Sequence, residues 1–83
     1  MKNSINYYMS EVTAPPEIES LMRGLDLYDL SELIRSLAEA IATKYFELHN
    51  RNLSYSPEIA DWLRVQSCDT WVRVLRWLAM EVI

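Results

Sequence analysis

Asp29-Leu30-Ser31-Glu32-Leu33-Ile34-Arg35-Ser36-Leu37-Ala38-Glu39-Ala40-Ile41-Ala42-Thr43-Lys44-Tyr45-Phe46-Glu47-Leu48 decides what kind of protein this chain is. Leu30, Leu33, Ile34, Leu37, Ala38, Ile41, Tyr45 and Leu48 recur at intervals of three and four, the spacing that gathers side chains on one face of an α-helix. Glu32, Arg35, Ser36, Glu39, Lys44 and Glu47 fall mostly on the other side and read as a solvated face. Asp29 is placed to cap free N–H groups, Glu32 completes a capping-box-like pair, and Tyr28 and Leu33 hold the staple positions. About twenty residues at a rise of about 1.5 Å make a rod roughly 30 Å long, enough to span a small domain. The spacing therefore predicts one long central helix as the backbone of the fold.

Upstream, residues 1–14 read as an extended or disordered arm, with Ile5, Tyr7 and Met9 alternating with Asn6, Tyr8 and Ser10. Thr13-Ala14-Pro15-Pro16-Glu17 starts a short helix: proline fixes φ in the first turn, and Glu17 and Glu19 suit the positive end of the helix dipole. Ile18, Leu21 and Met22 are its apolar stripe, and Gly24 is a ready stop. Downstream, His49-Asn50-Arg51-Asn52 breaks the long helix, and a loop runs to about Tyr55. Ser56-Pro57-Glu58 opens a further helix with Ile59, Ala60, Trp62 and Leu63 on its apolar side. Were that helix continuous, Gln66 would land in the apolar stripe. A break near Gln66–Cys68 is expected instead, with Ser67 or Asp69 capping a last helix that runs to the end.

A single glycine argues against a sheet protein built on tight hairpins. The expected fold is all-α: residues 15–83 form one domain, a small bundle of three to four helices around the long one. At 83 residues the core is small, and with Cys68 the lone cysteine no disulfide can staple it. Dimerisation is the remaining common support, so a homodimer completing the core is expected.

The closing run Trp71-Val72-Arg73-Val74-Leu75-Arg76-Trp77-Leu78-Ala79-Met80-Glu81-Val82-Ile83 carries more apolar surface than one face of a helix can hold. At about 100° per residue, Trp71, Leu75, Leu78 and Val82 gather into a core face flanked by Val74 and Ala79. Asp69, Arg73, Arg76, Trp77, Met80 and Ile83 lie opposite, with the Arg73 guanidinium one turn from the Trp77 ring. Tryptophan, arginine and methionine are enriched at protein interfaces. Arg73, Arg76, Trp77, Met80 and Ile83 are therefore the expected protein-interface residues; the alternative reading folds Trp77 back under the amino-terminal arm or the short first helix and leaves both arginines solvated.

Net charge is −4 and uneven: residues 1–50 hold eight acidic and four basic side chains, and residues 51–83 four of each. Nucleic-acid binding normally shows as a basic patch or stripe, and this balance disfavours it. No segment approaches the roughly 18 consecutive apolar residues of a membrane span. The amino-terminal residues carry no apolar leader pattern, so a cytoplasmic protein is expected and the sequon Asn52-Leu53-Ser54 is read as chance. His49 and Cys68 stand alone without flanking catalytic or metal-ligand spacing, and Gly24 alone makes no phosphate loop. No catalytic residue, metal or cofactor is expected.

Residues Ile59-Ala60-Asp61-Trp62-Leu63-Arg64-Val65, a turn, then Thr70-Trp71-Val72-Arg73-Val74-Leu75 resemble a helix-turn-helix. Arg64 stands where that motif usually has glycine, the turn is one residue longer, and Trp71 separates Thr70 from Val72. The resemblance implies a DNA-binding regulator using residues 57–83, with Thr70, Arg73 and Arg76 outward on the reading helix. Composition and the C-terminal run favour a non-enzymatic adaptor, inhibitor or assembly factor that binds another protein, itself, or both.

Overall fold

The long helix forms where its spacing places it, but both its ends lie elsewhere. The computed structural model describes residues 3–46 and 57–83, and among them every regular element is helical and there is no strand. Four α-helices follow one another: α1 Pro16–Arg23, α2 Leu27–Thr43, α3 Pro57–Arg64 and α4 Cys68–Trp77. A 3-10 turn, Ile5–Tyr7, precedes them, and a π-helical turn, Leu78–Val82, extends α4.

α2 starts one turn earlier than expected. Asp26, not Asp29, is its cap, accepting a hydrogen bond from the Asp29 N–H at 2.8 Å. Leu25 and Leu30 thereby take the staple positions, and both join the core, whereas Tyr28 is exposed. The expected device is present, shifted by three residues, because Asp26 offers the same carboxylate and a better-buried apolar pair. The helix also stops early. Lys44 adopts the left-handed conformation (φ 67°) and its N–H bonds the Ala40 carbonyl at 2.7 Å. Tyr45 is consequently out of the stripe and 60% exposed, while Phe46 turns inward to lie tilted against Trp71, ring centroids 6.3 Å apart. Leu48 lies outside the described residues, as do His49 and Ser56.

α1 ends at Gly24, but this glycine sits at φ −84°, a conformation any residue accepts. A Cβ there would meet only ordinary contacts, the nearest being the Ser20 carbonyl at 3.5 Å. The left-handed position falls on a lysine instead. Gly24→Ala is therefore expected to stabilise by about 0.4–1 kcal/mol, and Lys44→Gly to stabilise by relieving left-handed strain of about 1–2 kcal/mol against the roughly 0.5–1 kcal/mol that a glycine's extra freedom costs. Urea unfolding of the two variants, read as a raised midpoint at unchanged slope, checks this.

α2 packs chiefly on α4 and α1 on α3, and the two pairs share one core. Leu30, Leu33, Leu37 and Ala40 of α2 meet Trp71, Val74, Trp77 and Leu78, with Ile18, Met22, Ile59, Ala60 and Leu63 closing the rest. Ser36, expected on the solvated face, is fully buried, and its hydroxyl finds no partner among the described residues.

The break between α3 and α4 falls at Val65–Ser67. Gln66 seals the end of α3, its N–H donating to the Leu63 carbonyl and its side-chain amide to the Trp62 carbonyl, both at 3.1 Å. Ser67 caps α4 by accepting from the Thr70 N–H. The Trp71 indole N–H then reaches back to the Leu63 carbonyl at 2.7 Å, locking the turn from inside.

The amino-terminal arm, expected extended or disordered, belongs to the core. Ile5 and Ala14 are fully buried. The Asn6 side chain staples the arm to itself, donating to the Ala14 carbonyl (3.2 Å) and accepting from the Ala14 N–H (2.7 Å).

Candidate functional site

The arm lies on the outer end of α4, and what holds it there determines which of the expected interface residues reach the surface. Trp77 does not. It is fully buried, its indole N–H donating to the Asn3 carbonyl at 3.2 Å. The cation over its ring is Arg23 of α1, 5.2 Å from the centroid, rather than Arg73. Arg23 also donates to the Asn3 carbonyl (2.9 Å) and to Glu19 (3.1 Å). Trp77 thus belongs to the core and leaves the interface set. The physical reason is the phase of α4. Its buried side chains are Thr70, Trp71, Val74, Trp77 and Leu78, a face turned by roughly 60° from the expected one. Leu75 and Val82 move to its margin and Ala79 is exposed.

Two carboxylates clamp the arm. Glu81, in the π-helical turn, accepts from the Asn3 N–H (2.9 Å), the Asn3 side-chain amide (3.1 Å) and the Tyr8 hydroxyl. Glu19 accepts from the Ser4 hydroxyl (2.7 Å) and the Ile5 N–H (3.3 Å). Arg73 completes the clamp, donating to the Tyr8 carbonyl (3.1 Å) while paired with Asp69 (2.8 Å). These bonds join residues up to 78 positions apart, which local spacing cannot reveal.

The hydrogen bond from Tyr8 holds the Glu81 carboxyl below its ordinary 4.5, helped by the Asn3 N–H. For Glu19 burial pushes upward, but the Ser4, Arg23 and Ile5 hydrogen bonds together outweigh it and the net direction is down. The same contact with Glu81, followed by burial, raises the Tyr8 phenol above its ordinary 10.0. A depressed carboxyl contributes stability above its unfolded value, lost as pH falls through the folded one. A raised phenol contributes below its unfolded value, lost as pH rises through the folded one. The clamp is therefore fully formed between about 4.5 and 10, and is lost only as pH falls through the lowered carboxyl values or rises through the raised phenol value. The indole N–H resonance of Trp77 should report arm release on acidification. Glu81→Gln, which cannot titrate, should remove the Glu81 share of that acid transition.

With Trp77 inside, the outer face of α4 presents Val72 (47% exposed), Arg76, Met80 (67%) and Ile83 (69%), with Arg73 half-buried beside them. Tyr7 of the arm, 72% exposed, stands next to this stripe, its ring edge-on to Tyr8 at 5.3 Å. Between arm and helix lies an open recess of about 330 Å³ lined by Tyr7, Tyr8, Asp69, Val72, Arg73 and Arg76. Among the described residues, Arg76 is the one arginine with neither a hydrogen bond nor an ion pair; Arg23, Arg35, Arg64 and Arg73 all have carboxylate partners. Tyr7 and Val72 were not expected in this surface. The position of Val72 on the wheel, beside Arg76 and away from Trp71, was the signal available in the sequence.

The helix-turn-helix resemblance matches the element order and the burial of Ile59, Ala60 and Leu63, but not the burial of its two valines. Its apolar positions Val65 and Val72 are 78% and 47% exposed, and Arg73 is engaged by Asp69 and the arm. Cys68 opens α4 half-buried, its sulfur 3.9 Å from the Ile41 carbonyl and 4.0 Å from the Lys44 ammonium. Among the described residues no three His, Cys, Asp or Glu side chains gather closely enough to hold a metal ion, and no helix is long and apolar enough to cross a membrane.

No protein-family model matches the chain, and neither curated proteins nor solved structures give a match.

Proposed function

We propose that this chain is a non-enzymatic protein-interaction domain, an adaptor, inhibitor or assembly factor of the cytoplasm, whose contact surface is the outer face of α4 with the adjoining arm. The observation that carries this reading is Arg76, which among the described residues has neither a hydrogen bond nor an ion pair, at the rim of the recess between the arm and α4. Exposed Val72, Met80 and Ile83 surround it on one helical stripe. Guanidinium and thioether groups on the helix, with the Tyr7 phenol beside them on the arm, make the mixed polar and apolar surface typical of an interface. Arg73 contributes indirectly, by fixing the arm that forms one wall. The partner is a second copy of the chain or another protein.

A photo-crosslinking residue at Val72 or Met80 tests the reading in the native host. Both positions should give a discrete crosslinked product that Arg76→Glu removes, and a probe at Ala38, on the exposed side of α2, should give none. Light scattering at two concentrations then tells a homodimer from a foreign partner. Equal crosslinking from all three positions, or none from α4, would sink the proposal.

A further inference from the structure

Resting on the reading of the α4 face as a contact surface, we infer that its occupant is a second copy of this chain, with the two α4 helices antiparallel across a two-fold axis and Arg76 of each copy paired with Asp69 of the other. Asp69, Val72, Arg76, Met80 and Ile83 are all exposed and recur at intervals of three and four, so they form one stripe down the helix. Asp69 stands seven residues before Arg76, two turns or about 10.5 Å along that stripe. Each end of the stripe therefore carries one member of an opposite-charge pair. Arg76 has neither a hydrogen bond nor an ion pair among the described residues. Arg73 engages Asp69 through Oδ2 at 2.8 Å, and among the described residues no bond reaches Oδ1. The Asp69 side chain stays 67% exposed, so its second oxygen is open to another guanidinium.

Charge sets both the direction and the register of the pair. A two-fold contact is reciprocal, each residue meeting its counterpart on the other copy in return. With the helices parallel, Arg76 would face Arg76 and Asp69 would face Asp69, like charge on like. With the helices antiparallel and the axis between Val72 and Arg73, midway from Asp69 to Arg76 in the sequence, both charges meet their opposites twice over. Val72 then lies beside the axis, against Val72 of the other copy, and the helix dipoles run head to tail. Arg73 also comes near the axis, but it is half-buried and its charge is answered within its own copy by Asp69, with the Tyr8 carbonyl as a second acceptor. Met80 and Ile83 reach past the start of the opposite α4, toward the turn that carries the exposed Val65. The one stripe is thus complementary to itself.

Sedimentation equilibrium of the full chain should show a reversible monomer–dimer equilibrium. Arg76→Asp sets aspartate against aspartate at both pairs, and Asp69→Arg sets arginine against arginine. Each variant alone should therefore weaken the dimer by about a hundredfold or more. Mixed in equal amounts, the two should form a heterodimer at close to the native affinity, because every cross-pair again joins an aspartate to an arginine. Circular dichroism checks that each variant is folded, and where Asp69→Arg is not, Asp69→Lys takes its place. A native chain that stays monomeric at its highest soluble concentration overturns the inference. So does a dimer that either variant leaves intact, or a mixture that stays monomeric while both variants are folded. A monomeric chain whose α4 probes crosslink to a different protein keeps the reading of the face and removes the second copy. A dimer that forms with no α4 crosslink removes both.

Discussion

Trp77→Ala is expected to lower the thermal midpoint by roughly 12–40 °C, and to leave a large unfolded fraction at physiological temperature. Truncating a buried tryptophan costs about 3–5 kcal/mol. A domain of 83 residues has only roughly 4–12 kcal/mol of stability to lose, and each kcal/mol moves its midpoint by about 4–8 °C. The loss is concentrated here because Trp77 serves three elements at once. Its ring fills the space beneath the arm, its face carries Arg23 of α1, and its N–H holds the Asn3 carbonyl. Trp77→Phe keeps most of the volume and leaves Asn3 its bond from Arg23, so it should cost far less. Were Trp77 an exposed contact residue, alanine would leave the midpoint where it is. Circular dichroism melts of the two variants distinguish the cases directly.

Trp71→Ala should be nearly as damaging, again by about 3–5 kcal/mol, and for a different reason. Trp71 is 4% exposed, packs against Phe46 just past the end of α2, and donates to the last turn of α3. Its loss would loosen the α3–α4 turn and the end of α2 together. Trp71→Phe removes the hydrogen bond and part of the ring. The Leu63 carbonyl keeps the Gln66 N–H as a donor, so the bond itself should cost about 0.5–1.5 kcal/mol, with a smaller cavity added than alanine would leave. A phenylalanine cost approaching that of alanine would show that the Gln66 bond does not hold the turn by itself.

Two helix starts were legible because their signals are local: the Pro15-Pro16-Glu17 start and the Ser67 cap each lie within three residues of the structure they specify, whereas the long helix starts at Asp26 and not at Asp29. Helix ends were harder. Gly24 looks like a left-handed stop and is not one, while Lys44 takes the left-handed position against its own preference. The stripe of α2 was read well through Leu30, Leu33 and Leu37, but periodicity alone could not show that Ser36 is drawn into the core.

The site was legible only in part. Arg76, Met80 and Ile83 are on the expected surface, and Arg73 is at its edge. Two placements of Trp77 were open in the sequence, at the surface or beneath the arm and first helix, and only the return of the arm decides for the second. That return depends on Asn3, Tyr8, Glu19 and Glu81, polar residues whose pairings cross the whole chain and leave no periodic trace.

The π-helical turn gives the carboxyl-terminal end of the chain an unusual role. Its hydrogen bond from the Ile83 N–H to the Leu78 carbonyl (2.9 Å) encloses one residue more than an α-turn would. Wound as ordinary α-helix, the same residues would each advance by about 100°, more than in the wider π turn, and every side chain beyond Leu78 would be carried further around the axis. Glu81 would then no longer stand opposite Asn3 and Tyr8. The surplus residue acts as a phase adjuster, setting the angle at which Glu81 meets the arm.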